Sequence, residues 1–184
     1  LEQQTDSELM SLVQAGDAAQ LAHLFERHHV ALFRYLYQLT RNRALSEDLT
    51  QEVFLRVLKY SATFNPGHGF RAWLYGMARN ASHDARRKVR GEVADIQMGE
   101  FRSSDPIAEE RVAQQQNHEM LRTALNRLSD DKRELLELSR FQGMRYDEIA
   151  AILQCEVGTV KVRVFRALKD LREKFFEVSG RQIA

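Results

Sequence analysis

Apolar residues recur at three- and four-residue intervals along most of this chain, with charged and polar residues between them, which is the repeat of helices buried on one side. Leu21, Leu24, Phe25, Leu32, Phe33, Leu36 and Leu39 form the longest stripe and predict a helix over residues 18–40. Shorter runs predict helices near 7–14, 45–60 and 70–90. Asp6 or Ser7 can cap the first of these and Ser46 the third, because a short oxygen-bearing side chain accepts from an early backbone amide. Further on, Leu121, Leu125 and Leu128 mark a helix ending before Ser129. Ser129 is placed to cap the next, which runs through Leu135, Leu136 and Leu138 to Phe141, where Gly143 supplies the left-handed residue that commonly ends a helix. Both prolines fall in breaks: Pro66 within Asn65–Gly69, and Pro106 within a polar stretch from Gly91 to Gln116 that loses the helical repeat. These signals predict an all-α chain of two small helical domains, residues 6–90 and 117–180, joined by a flexible linker over 91–116.

The end of the chain carries the most specific pattern. Ile149, Ala150, Ile152 and Leu153 predict a short helix, Gln154 to Gly158 a tight break, and Val160, Val164, Ala167, Leu168, Leu171 and Phe175 the buried stripe of a second helix. Lys161, Val162, Phe165, Arg166 and Lys169 then fall on the opposite side. A helix-turn-helix lays such a face in the major groove, where basic side chains reach phosphates or guanine edges and apolar ones meet thymine methyls. An exposed Phe165 beside Arg166 argues against a merely solvated basic helix.

Composition narrows the remaining classes. The 184 residues are 43% hydrophobic and 29% charged, too apolar for a disordered chain. The formal net charge is only +1, so its distribution matters more than its sum. Arg79, Arg86, Arg87, Lys88 and Arg90 crowd one segment, and Glu47, Asp48 and Glu52 another, which predicts separate basic and acidic partner surfaces. One cysteine excludes an internal disulfide and fits a reducing cytoplasm, with Cys155 read as a small buried packing residue in the turn. No apolar run reaches the roughly 18 residues that would span a membrane. The six histidines lack metal-ligand spacing, Cys155 has no evident base and no glycine-rich phosphate loop occurs, so neither an enzyme nor a cofactor site is expected. His28 and His29 are expected at a surface or core edge. A stand-alone DNA-binding regulator with an N-terminal sensing domain is one reading of this combination.

The order of several motifs narrows this further. Leu45-Ser46-Glu47-Asp48-Leu49-Thr50-Gln51-Glu52-Val53-Phe54-Leu55-Arg56-Val57 is followed by Phe70-Arg71-Ala72-Trp73-Leu74-Tyr75. After these come Ala78-Arg79-Asn80, Asp84 and Arg86-Arg87, and finally Gly158-Thr159-Val160-Lys161. In this order they resemble a bacterial RNA polymerase sigma factor of the extracytoplasmic-function (ECF) group, in the sigma-70 family. The resemblance covers nearly the whole chain except the linker and tails. The length matches the minimal type, without an N-terminal autoinhibitory segment or a third folded domain.

The resemblance implies a transcription initiation factor whose first domain is sigma region 2 and whose second is sigma region 4. Asp48, Gln51, Glu52 and Leu55 share one helix face by the i, i+3, i+4, i+7 rule. Spacing alone leaves a solvated acidic face and an interface equally open, and the resemblance assigns this face to the β′ coiled coil of polymerase. Melting of the −10 element exposes unstacked bases that a pocket, polar groups and cations can hold. Asn65, His68, Gly69 and Asn80 are candidates for the bases, and Arg79, Arg86, Arg87, Lys88 and Arg90 for the phosphates. Trp73 fits core packing better than a base wedge. Primary sigma factors carry paired aromatic wedges where this chain has Trp73-Leu74, which implies weaker melting and a stricter promoter requirement. Thr159, Lys161, Val162, Phe165, Arg166 and Lys169 are candidates for the −35 duplex. Implied partners are polymerase core, through the β′ coiled coil and the β flap, promoter DNA, and an anti-sigma factor. Three residues depart from the family pattern: Gln154 replaces a turn glycine, Arg145 a capping serine, and Val162 a small polar DNA-facing residue.

Overall fold

The computed structural model describes residues 4–92 and 109–180, with the side chains of 89–92 and 109–116 excepted. Among the described residues there are eight α-helices and no strand. The first half contains α1 (Asp6–Gln14), α2 (Leu21–Thr40), α3 (Arg43–Lys59) and α4 (Phe70–Glu92). The second contains α5 (Glu109–Asn126), α6 (Asp130–Leu136), α7 (Tyr146–Leu153) and α8 (Val157–Ser179). Short 3-10 turns at Ala18–Gln20, Ser61–Thr63 and Pro66–His68 join the early helices.

Several helix ends differ from the sequence expectation. Thr5, not Asp6 or Ser7, caps α1: its hydroxyl accepts from the Glu8 amide at 3.3 Å while the Glu8 carboxylate accepts from the Thr5 amide at 2.7 Å. Asp6 instead faces α2, pairing with His28 at 2.7 Å and Arg27 at 3.1 Å. Those bonds, the one from His28 foremost, hold its carboxyl below the usual range against the opposing effect of burial. Asn42 caps α3 by accepting from the Leu45 amide at 3.0 Å. Ser46 lies one turn inside, fully buried, and its hydroxyl donates back to the Asn42 carbonyl at 2.6 Å. Ser129 occupies the cap of α6 with extended backbone but makes no side-chain cap bond.

The helix starting at Asp130 does run to Phe141, but with a change of winding: Glu137–Phe141 is a π turn. Its extra residue moves the following Gln142 to a new azimuth before Gly143 ends the run at φ 60°. The expected linker shortens from both sides. Gly91 and Glu92 belong to α4, and residues 109–116 are the start of α5, because the Glu-Glu-Arg-Val-Ala-Gln-Gln-Gln run has high helix propensity despite having no apolar stripe. The rest of the expected linker, 93–108, lies outside the described residues.

The two halves pack against each other. The apolar side of α4, with Ala72, Leu74, Tyr75, Ala78 and Ala81 almost solvent-free, is part of one buried cluster that continues into Met144, Ile149, Val160 and Val164 of the second half. On α4, α2 and α3 lie against the helix from the first half and α7 from the second. Tyr35 and Tyr75, both buried, lie as tilted rings with centroids 5.0 Å apart where the halves meet. Trp73 packs with Phe64 at 5.3 Å and Phe70 at 6.3 Å, which places it in an aromatic cluster at the start of α4. His28 and His29 sit at the core edge, His29 stacked on Phe25 at 4.7 Å. Cys155 is half-buried against the core, more open than the sequence predicts, because the turn that carries it opens to solvent on one side.

Between α7 and α8, Gln154 adopts the left-handed conformation at φ 52°. A side chain with a Cβ is disfavoured there by about 1 kcal/mol, whereas glycine is not. Replacing Gln154 by Gly is therefore expected to stabilise the fold by about 0.5–1 kcal/mol in urea denaturation, after the entropy glycine gains when unfolded. A destabilised Gln154→Gly would show that the Gln side chain anchors the turn.

Candidate functional surfaces

Three exposed surfaces arise from the unburied sides of α3, α4 and α8. On α3 the buried side is Leu49, Thr50, Val53, Phe54 and Val57. Helical geometry turns Asp48, Gln51, Glu52 and Leu55 directly away from it, and all four are exposed, Leu55 at 67%. Glu52 accepts from Arg56 at 2.5 and 3.0 Å, and Glu47 from Arg43 at 2.8 Å. Such exposed pairs contribute little to stability, so the face is available for other contacts. Leu58 is also exposed, one turn past Leu55 on the same side, and extends the apolar centre. Sequence reading left it unassigned, although its i+3 spacing from Leu55 marks it.

On α8, Val160, Val164 and Ala167 are buried, and Val162 and Lys169 lie opposite them. Lys161, Val162, Phe165, Arg166 and Lys169 are all exposed, while Thr159 at the entrance to the helix is half-buried. Phe165 is 69% exposed, and Val162 49%. Large apolar side chains that open to water on a cationic helix have no packing purpose in the free chain. Arg163, exposed at the flank of this face one turn from Thr159, belongs with it and was missed because it lies next to the buried Val164, off the centre of the exposed face. The preceding α7 is held by Glu148, whose carboxylate accepts from the Arg145 amide at 2.8 Å, so the missing capping serine is compensated from the third position of the helix.

The α4 surface is arranged differently from the sequence expectation. Asn80, Arg86 and Arg87 line an open cavity of about 680 Å³ together with Arg56 of α3 and with His83 and Asp84. Asp84 accepts from Arg87, and that bond holds its carboxyl below the usual range. Asn65, His68 and Gly69 do not line this cavity. Their loop is held by its own bonds and by α1: the Asn65 side chain accepts from the Gly67 amide at 2.9 Å, and the Gln14 amide donates to the Ser61 and Phe64 carbonyls at 3.0 Å. Arg56 and His83 are the members sequence reading missed, because they join Asn80 only through the packing of α3 on α4. Lys88 is exposed near the end of α4, and Arg90 belongs to the same helix, with its side chain outside the described residues.

Besides Arg87 on Asp84, two of the expected phosphate ligands are engaged by the second half. Arg79 donates to Glu134 at 3.0 Å, and Arg86 donates to Asp130 at 3.1 Å and to the Leu39 carbonyl at 2.6 Å. The predicted separation of basic and acidic surfaces is thus only partial, since acids of the second half neutralise part of the α4 cluster.

Comparison with known proteins agrees with this geometry. The family model for sigma-70 region 2 matches residues 24–92, and that for sigma-70 region 4 matches residues 118–171. The RNA polymerase sigma factor CarQ of Myxococcus xanthus is 34% identical over 155 residues, 84% of this chain and 88% of that protein. The chain belongs to the ECF group of sigma-70-family sigma factors. The ECF sigma factor BldN of Streptomyces coelicolor is 32% identical over 167 residues, covering 89% of this chain but 63% of the length of BldN. A solved structure of the sigma factor RpoE with the anti-sigma factor NepR, from Bartonella quintana, superposes with a TM-score of 0.68 and 27% identity, covering 83% of this chain and 94% of that one. Within this sigma factor, region 2 carries α3 and α4 and region 4 carries α8. Among the described residues no helix is long and apolar enough to cross a membrane.

Because Phe165 touches water over most of its area, its removal leaves the core intact. Phe165→Ala is expected to change stability by less than about 0.5 kcal/mol while weakening duplex DNA binding at least several-fold. A matching loss of thermal stability would make Phe165 a packing residue and remove it from the α8 surface.

Proposed function

We propose that this ECF sigma factor binds RNA polymerase core and directs it to promoters, with its two domains dividing the work. The exposed face of α3 around Leu55 meets the β′ coiled coil, α8 reads the −35 duplex, and α4 holds the opened −10 strand. The single observation that supports this reading best is the coexistence in one chain of a bare cationic and apolar face on α8 and a bare acidic and apolar face on α3. A stand-alone regulator has use for the first and none for the second. The chain acts in this reading as a cytoplasmic binding protein and not as an enzyme. A second region 4 contact, with the β flap, accompanies the first.

On α8, Lys161, Arg166 and Lys169 supply cations for phosphates or guanine edges, with Val162 and Phe165 placed for thymine methyls and Thr159 at the entrance. At α4, Asn80 can both donate to and accept from an unpaired base, and Arg87, Arg56 and His83 ring the cavity beside it. Lys88 and Arg90 continue the cationic track, while Asn65, His68 and Gly69 form a separate contact on the loop. Trp73, held among Phe64 and Phe70, supports that loop. Leu74 is fully buried, which leaves no paired wedge for melting. An anti-sigma factor is the partner that would withhold these surfaces; the RpoE relative was solved in complex with one, NepR.

Pull-down with core polymerase tests the α3 assignment. Asp48→Arg or Glu52→Arg is expected to weaken capture about tenfold or more, roughly 1.4 kcal/mol, with the fold unchanged, because a solvated face tolerates a reversed charge and a complementary one does not. Wild-type capture by both variants would return α3 to a solvated role. For the α4 cavity, Asn80→Ala is expected to bind core normally but to slow open-complex formation, measured by potassium permanganate reactivity, with rescue on a template mismatched across the −10 region. Normal opening in that variant would pass base reading to the loop alone.

A further inference from the structure

The loop between α3 and α4 has little regular structure with which to hold its own shape. Its two 3-10 turns, Ser61–Thr63 and Pro66–His68, are three residues each, and the bent hydrogen bonds of such turns add little rigidity. Its inward anchor is Phe64, which is 5% exposed and meets the rings of Phe70 at 6.1 Å and Trp73 at 5.3 Å. Asn65, Pro66, Gly67 and His68 are all exposed and form the tip. Apolar packing is non-directional, so it seats Phe64 without fixing which way the backbone on either side of it faces. Directional bonds to the backbone do that.

Helix α1 supplies them. Gln14, its last residue, donates from Nε2 to the carbonyls of Ser61 and Phe64, each at 3.0 Å. That nitrogen carries two hydrogens, one for each bond. The Phe64 carbonyl lies directly before Asn65, where the tip begins. The Ser61 carbonyl also accepts from the Phe64 amide at 3.0 Å, which closes the first turn. Gln14 therefore grips both ends of that turn, and Asn65 starts the next by accepting from the Gly67 amide.

The brace is itself anchored. Leu9, Met10 and Val13 bury one side of α1. At its other end Asp6 pairs with His28, whose ring lies 5.3 Å from that of Phe70, the first residue of α4. One helix thus holds the loop and touches the residue packed where α4 begins. The match to the region 2 family model starts at residue 24 and does not extend to α1.

We propose that Gln14 is a positioning residue for −10 recognition, fixing the loop backbone so that Asn65 and His68 meet one unpaired base in a set orientation. This rests on the reading of the loop as a −10 contact separate from the α4 cavity. Gln14 itself touches no DNA. Its effect is on selectivity, because a loop held in one conformation discriminates among bases and a loop free to turn accepts several.

Polymerase core with the full chain, offered a pool of single-stranded oligonucleotides randomised across the −10 segment, reads the effect position by position. Gln14→Ala is expected to lower the enrichment at one position about fivefold, the worth of one hydrogen bond, and to leave the positions that depend on Asn80 unchanged. Gln14→Glu, of the same size but aiming acceptors at two carbonyls, loses at least as much. Gln14→Lys keeps a donor with the reach and the hydrogens for both carbonyls, and restores the preference. Melting temperatures taken in parallel separate this order from the preference of a helix C-terminus for Lys over Glu, which changes stability and not base choice. His68→Ala, which leaves the brace in place, is expected to flatten the same position. Loss in Asn65→Ala or His68→Ala but not in Gln14→Ala overturns the brace and keeps the loop as a −10 contact. No loss in either loop variant overturns the reading of the loop, and the brace with it. A uniform fall at every position in Gln14→Ala, with a lower melting temperature, overturns the brace and makes Gln14 a folding residue.

Discussion

The structure depends on α4 being apolar along one side and cationic along the other. Its buried side is built from small residues, Ala72, Ala78, Ala81 and Ser82, around Leu74 and Tyr75, and small residues let neighbouring helices approach closely. That packing sets α3 beside α4, which is why Arg56 of one helix and Asn80 of the other border the same cavity. It also sets α2 beside α4, so that Tyr35 and Tyr75 present their hydroxyls together to the second half. A single core side chain can be exchanged at a cost of a few kcal/mol, but a bulky residue at Ala78 or Ala81 would move three surfaces at once.

The three surfaces differ in physical character, and this separates their tasks. The α3 face is carboxylates around an exposed leucine, suited to a protein partner with basic and apolar groups. The α8 face is cations around exposed Val162 and Phe165, suited to a duplex groove. The α4 cavity mixes an amide, an imidazole and guanidiniums, suited to a base with its phosphates. Each is a helix side that the core does not need, so substitutions there are expected to change binding before stability.

Much of this was legible in the sequence because burial and exposure are complementary on a helix. Once Leu49, Val53 and Val57 are assigned inward, Asp48, Gln51, Glu52 and Leu55 must face out, and the same logic places Lys161, Val162, Phe165 and Arg166. Left-handed Gln154 was readable only through the family resemblance, which puts a glycine at that turn position. The caps were less so: several oxygen-bearing side chains cluster near each start, and backbone geometry selects Thr5 over Asp6 and Asn42 over Ser46. The π turn left no local sign, since it falls at the end of its helix and no apolar stripe follows from which the offset could be read. Residues 109–116 looked like linker because their helix is supported by propensity and not by an apolar stripe. The pairing of Arg79 with Glu134 and of Tyr75 with Gln142 joins positions 55 and 67 residues apart, and no periodicity reports such contacts. The cavity was half legible, Asn80 and the arginines by composition, Arg56 and His83 only by packing.

The central claim is that one chain brings polymerase to a promoter by dividing core binding, duplex reading and strand opening among α3, α8 and α4. Run-off transcription with purified core polymerase and a randomised promoter library tests it most directly. The account predicts transcripts only when the chain is present, from templates that share one motif near −35 and another near −10. Sequence-selective duplex binding by the chain alone, with core polymerase producing no transcript from the selected templates, would contradict it.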